Sequence, residues 1–178
     1  MTHDEVLRQI GAMTLVFSRL EGSVQSLTHS LILEHQTVGQ IITAELSFGQ
    51  VRTLTMSLYL ERNGRDDDFA QIKRFMDRAE KLEKRRNEIQ HSVWVAGESP
   101  TTLKRMKLTA RRRGRAVAFE EISAADLAGL GQEIEALGDE ITSLTFDLIA
   151  RHKVINPRFK PYWGPGSGVG PWAPTEGA

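Results

Sequence analysis

The strongest constraint on this chain is an apolar seam near its start. Val6, Ile10, Met13, Phe17, Leu20, Val24, Leu27 and Leu31 alternate four- and three-residue spacings without a break, which is the heptad signature of a long helix with one buried stripe. The spacing predicts a helix from about Asp4 to His35. A helix of ~30 residues spans ~45 Å, so the stripe needs partners of similar length. Gly11 and Gly22 weaken this helix locally and allow another helix to come close.

Three further helices follow from the same reading. Thr37 and Gln40 have capping-box spacing and open a second helix with the face Ile41, Ala44, Phe48, Val51, Leu54 and Leu58, ended by Asn63-Gly64. Asp66-Asp67-Asp68 puts negative charge at the start of a third helix carrying Phe69, Ile72, Met76, Ala79 and Leu82, expected to end near Val95. Three carboxylates in a row also suit a metal, but no matching ligand set accompanies them, and capping is the better account. Ser123 and Asp126 form another capping box before Leu127, Leu130, Ile134, Leu137, Ile141, Leu144 and Leu148. Short connections between such seams predict an all-α, up-down four-helix bundle over residues 1–154.

Residues 96–121 depart from the helical period. Met106 and Leu108 alternate with Arg105 and Lys107, and a turn at Arg113-Gly114 separates them from Ala116–Phe119. This predicts a small β-hairpin insert between helices three and four. Lys104, Arg105, Lys107, Arg111, Arg112, Arg113 and Arg115 lie there with no acidic residue among them, leaving 16 Lys and Arg against 23 Asp and Glu elsewhere. Such segregation suits either a solvated hairpin or an arm that contacts nucleic-acid phosphates, and it favours the second. The formal net charge of the whole chain is +0, so coating of nucleic acid by bulk charge is not expected.

Residues 155–178 hold five of the six prolines, with Gly164, Gly166, Gly168 and Gly170 among them. An extended or disordered tail is expected, with Tyr162, Trp163 and Trp172 able to dock on the bundle or a partner. The chain has no cysteine, which excludes disulfides and thiolate chemistry. It shows no signal peptide and no apolar run of membrane-spanning length, so a cytoplasmic protein is expected.

The chemistry concentrates between Lys84 and Trp94. Arg86 occupies the place on the third helix's stripe where an apolar residue is due between Leu82 and Ile89. A charge on a buried seam is costly unless compensated, so Arg86 is either a structural ion pair, with Glu45 or Glu140 as partners, or part of a site. Asn87 and His91 share a face at i and i+4. Arg86 and His91 sit ~140° apart around the helix axis. One helix therefore makes an incomplete site, which a second copy across a two-fold axis would complete. Histidine moves protons near neutral pH, and arginine grips phosphate and stabilises charge developing on it. Together they suit phosphodiester cleavage without a metal. His3, His29, His35 and His152 lack metal-ligand spacing.

Arg86-Asn87-x-x-x-His91, at the end of the third of four helices, resembles the R-x4-6-H signature of the HEPN superfamily, in which a polar residue commonly follows the arginine. The resemblance covers residues 4 to about 154, including an insert between helices three and four. It implies a homodimeric endoribonuclease of toxin or anti-phage type that needs no metal or other cofactor, with RNA as substrate and an antitoxin or regulatory protein as partner. It assigns catalysis to Arg86, Asn87 and His91. Arg85 satisfies the looser form of the motif as well; Arg86 is preferred because it adjoins Asn87 and lies on the seam. Val93 stands where many such toxins carry a tyrosine that a nucleotidyltransferase antitoxin modifies, which speaks against that partner. The alternatives are a noncatalytic HEPN-like module that binds RNA or a nucleotide in the same cleft, and a helical interaction protein whose seams serve oligomerisation.

Overall fold

The computed structural model describes residues 3–32, 36–98, 102–111, 114–151 and 153. The elements are α1 (His3–Leu31), α2 (Gln36–Thr43), α3 (Phe48–Asn63), α4 (Asp67–Gln90), β1 (Val93–Ala96), β2 (Thr102–Arg111), β3 (Gly114–Ser123) and α5 (Ala124–Ala150). The fold is mostly helical, with an antiparallel sheet between α4 and α5. The chain divides into two compact units, Met1–Arg19 with Asp77–Leu137, and Leu20–Met76 with Gly138–Ala178.

The first unit is built on the early part of α1, the later part of α4, the sheet and the first half of α5. Its core includes Val6, Met13, Phe17, Leu82, Ile89, Leu103, Ile122, Leu130 and Ile134. The sheet order is β1-β2-β3. Val93 faces Met106 and Met106 faces Phe119, while Trp94 faces Arg105 and Arg105 faces Glu120. Side chains alternate across a sheet. Leu103, Arg105 and Ile122 fall on the covered face and are buried, whereas Val93, Val95, Val117 and Phe119 fall on the other and are exposed. Trp94 ties the sheet to α4 by donating from Nε1 to the Ile89 carbonyl at 3.1 Å. The Ser123–Asp126 capping box expected at the start of α5 is present in both directions, Asp126 N to Ser123 Oγ at 3.1 Å and Ser123 N to Asp126 Oδ2 at 2.9 Å.

The second unit buries the rest of the α1 seam, Leu20, Val24, Leu27 and Leu31, with Val51, Tyr59, Ile72, Met76, Ile141, Leu144 and Leu148. Thr28 and Thr55 share a buried 2.6 Å hydrogen bond between α1 and α3. Gly138 explains the glycine that weakens α5: a Cβ there would stand 3.7 Å from the Leu20 Cα and 3.6 Å from Ser23 Oγ, so the two backbones run close. Asp66 caps α4, its Oδ1 accepting from Phe69 N at 2.8 Å.

The structure corrects the expected elements in four places. The single helix expected from Thr37 to Asn63 is two, because Ser47 and Gln50 form a second capping box: Gln50 N donates to Ser47 Oγ at 3.3 Å and Ser47 N to Gln50 Oε1 at 2.8 Å. Thr37 lies inside α2, which starts at Gln36. The buried face of α3 is Phe48, Val51, Thr55 and Tyr59; Ile41 is 70% exposed. The helix expected to reach Val95 stops at Gln90, since Val93-Trp94-Val95 is β-branched and aromatic sequence that pairs with β2. The insert is therefore a three-stranded sheet and not a hairpin alone. The tail 155–178 lies outside the described residues.

Candidate functional site

The residues Arg86, Asn87 and His91 all belong to the first unit. Phe17, buried on α1, offers its ring face to α4, and the Arg86 Cζ lies 5.0 Å from the ring centroid. A guanidinium over a ring face is attracted by the ring quadrupole, which partly compensates the seam position. Arg86 Nη1 donates to Asn87 Oδ1 at 2.9 Å. Its Nε is buried with no hydrogen-bond partner. No described carboxylate forms an ion pair with Arg86. Neither Glu45 nor Glu140 plays the role that the seam position left open for them.

His91 sits just past α4. Its backbone N–H closes the last helical turn on the Asn87 carbonyl at 3.0 Å, and its side chain is exposed. The structure thus joins Arg86 to Asn87 by side chains, and His91 to Asn87 only through the backbone. Gln90 braces this end of α4 by donating to Thr14 Oγ1 at 2.8 Å. Arg85, the alternative arginine, is exposed and paired with Glu133 at 2.9 Å. The two neighbours are therefore different groups: one neutralised at the surface, the other seated on an aromatic ring without a counter-ion.

The basic insert divides in the same way. Arg105 is 6% exposed and lies between Glu88, at 3.2 Å, and Glu120. Burial disfavours its charge, but the two carboxylates outweigh that and hold its pKa above the ordinary value. It is turned inward and is not placed to touch a ligand on the outer sheet face. Lys104 binds Glu98 at 2.8 Å, which raises its pKa. Lys107, Arg111 and Arg115 have strand positions, but their side chains lie outside the described residues, as do Arg112 and Arg113 entirely.

Beside Arg105 is a cleft of about 500 Å³ whose lining includes Glu88, Ile89, Glu120, Ile122 and Leu127. It is separate from the Arg86 seat, and its carboxylates are engaged by Arg105. Charge counting misses this arrangement; the alternation of Leu103 with Arg105 on one face of β2 was the available signal.

The second unit holds a denser polar cluster that the motif search did not reach. Lys153 Nζ bonds Asp66 and Asp68 at 2.7 and 2.8 Å, Arg151 holds Asp68 with two bonds of 2.8 and 3.0 Å, and the Tyr59 hydroxyl donates to Asp66 at 3.2 Å. Burial opposes ionisation of both carboxyls, but Lys153, joined by Arg151 at Asp68, keeps them below the usual range. The aspartate run is thus a cap and an ion-pair hub joining α4 to the end of α5.

Compared with known protein families, curated proteins and solved structures, the chain matches none. Among the described residues, no helix is long and apolar enough to cross a membrane.

Proposed function

We propose that the chain is a metal-independent endoribonuclease of the HEPN type, in which two copies pool Arg86, Asn87 and His91 in one cleft. In this reading α1, α3, α4 and α5 form the up-down four-helix bundle, α2 is a short turn ahead of α3, and the sheet is the variable insert. The observation that carries it is the Arg86 guanidinium, held on Phe17 and Asn87 with no carboxylate to neutralise it. An uncompensated cation attracts phosphate, and a fixed seat spares the entropy of ordering it.

The mechanism assigns one His91 to take the proton from a ribose 2′-OH as its oxygen attacks the adjacent phosphorus. The P–O5′ bond breaks, and the second copy's His91 returns a proton to the departing 5′ oxygen. Arg86 stabilises the charge gathering on the non-bridging oxygens, and Asn87 holds Arg86 in place. The products are a 2′,3′-cyclic phosphate and a 5′-hydroxyl. Arginines of the β2–β3 ribbon hold the RNA backbone, a role that excludes Arg105 because it is committed to Glu88 and Glu120.

The noncatalytic reading has its own observation: within one chain the His91 imidazole is exposed and makes no side-chain contact with Arg86. Both are tested by incubating structured and single-stranded RNA with the protein in EDTA, beside Arg86→Ala and His91→Ala. Cleavage lost in both variants supports the enzyme. RNA binding with no cleavage by the wild type leaves a binding module, and cleavage that survives both substitutions removes these residues from the mechanism.

A further inference from the structure

The sheet has one covered face and one bare one. Across the bare face runs an apolar row, Val93 on β1, Met106 on β2 and Phe119 on β3, in direct register. Val95 and Val117 extend it on either side. Phe119 is 58% exposed, Val93 55%, Val117 42% and Val95 40%. Isolated surface valines need no explanation, but a contiguous apolar patch on a twisted sheet marks a contact surface.

The two ends of this face carry opposite charge. At the end where β1 meets β2 lie Glu98, Glu120 and Glu121, all exposed. At the other end, beyond the reach of the four-residue β1, β2 and β3 continue as a two-stranded ribbon whose last register positions are Arg111 and Arg115. Along ~33 Å of strand the surface therefore runs acidic, apolar, basic. A surface with that sequence of properties is complementary to itself when one copy is reversed against another. The aliphatic centre favours a protein over single-stranded RNA, because bases stack on rings and Phe119 is the one aromatic among these five side chains.

We propose that the bare sheet face is a contact between two copies of this chain, packed face to face with strands in opposite senses, basic end over acidic end. The five apolar side chains form the dry centre. The ribbon and the glutamates form the charged rim toward the roughly 800 Å² per partner of a stable interface. A two-fold axis through the centre makes every contact occur twice. The proposal rests on the ribonuclease reading only for its consequence, since that site needs a second copy; its physics comes from the sheet alone.

Because the chain has no cysteine, single cysteines report the contact cleanly. Sedimentation equilibrium of the full chain is expected to give a dimer. Phe119→Lys with Val93→Lys should weaken its Kd at least 100-fold, with circular dichroism unchanged. Phe119→Cys should yield a disulfide-linked dimer on mild oxidation, and Leu15→Cys, exposed on α1, should not. Glu98→Lys should weaken the dimer, and adding Arg111→Glu with Arg115→Glu should restore it. A monomeric wild type at high concentration overturns the proposal, as does a dimer unmoved by the paired lysines. A monomer whose lysine variant loses RNA binding gives the face to RNA and overturns it equally. A dimer that passes these tests but never cleaves RNA sinks the ribonuclease reading and leaves the interface standing.

Discussion

Arg86 and Phe17 form a cation–π pair, guanidinium carbon to ring centroid 5.0 Å, that seats a positive charge on the apolar seam of α4 without a carboxylate. Arg105 meets the opposite solution, a buried guanidinium clamped by Glu88 and Glu120. The two arginines should therefore respond differently to truncation. Arg86→Ala removes a cation–π contact and one hydrogen bond, and is expected to cost about 1 kcal/mol. Arg105→Ala leaves two carboxylates without their cation and should cost roughly 2–3 kcal/mol, toward the low end for a broken buried pair because Glu120 keeps access to water. Urea unfolding of both variants checks the order. RNA cleavage should show the reverse, lost in Arg86→Ala and kept by whatever Arg105→Ala protein remains folded.

His29 gives the fold an acid limit. Burial pushes its pKa below 6.5, against a smaller opposing effect of the Gly39 backbone, and its Nε2 pairs with Thr43 Oγ1 at 2.8 Å. The unfolded chain takes up a proton below about pH 6.5 that the folded chain resists. Stability from this group is therefore complete above that pH and falls as the pH drops below it. Chemical denaturation between pH 7 and 5 should show this loss, and His29→Gln should flatten it.

Tyr59 sets an alkaline limit of the same kind. Burial, and then the charges of Asp66 and Asp68, push its hydroxyl up to about 12. The unfolded tyrosine ionises near pH ~10, so its contribution is full below that and is lost as the pH rises toward 12. Lys153, whose pKa the same aspartates raise, acts in the same direction. Tyr59→Phe should shrink the alkaline loss without abolishing it, and Tyr59→Phe with Lys153→Met should shrink it further, both read from Tm against pH.

Gly97 closes the end of β1, its N–H donating to the Thr102 carbonyl at 3.2 Å. A Cβ there would collide with the Thr102 backbone. Gly97→Ala must part β1 from β2 at that end, and a cost of about 2 kcal/mol is expected from such overpacking. Faster hydrogen exchange at the amides of β1, with α5 unaffected, is the check.

The α1 and α5 seams were legible because their period holds over many turns, and nearly every seam residue is buried. The break before α3 was written in Ser47 and Gln50, but the apolar residues around them continue a helical spacing that hides it. The end of α4 was misplaced because Val93 fits the helical stripe as well as a strand, and only pairing with Met106 decides. At the site, the adjacency of Arg86 and Asn87 was readable. The ring beneath Arg86 was not, since Phe17 comes from a different helix. Arg105 was misread as one more charge of a basic run, because counting charges ignores which face of the strand each one occupies.

The passage from α4 to β1 takes two residues, His91 and Ser92, and Ser92 is itself tied back to the helix through the Glu88 and Ile89 carbonyls. There is no slack in it. One inserted residue would turn over β1, sending Trp94 into water and Val93 against α4. A deletion would drag the imidazole off the end of the helix. Loops elsewhere can lengthen at small entropic cost, but this junction tolerates substitution and not a change of length. The distance along the chain from Asn87 to Trp94 is therefore fixed in a way that its residue identities are not.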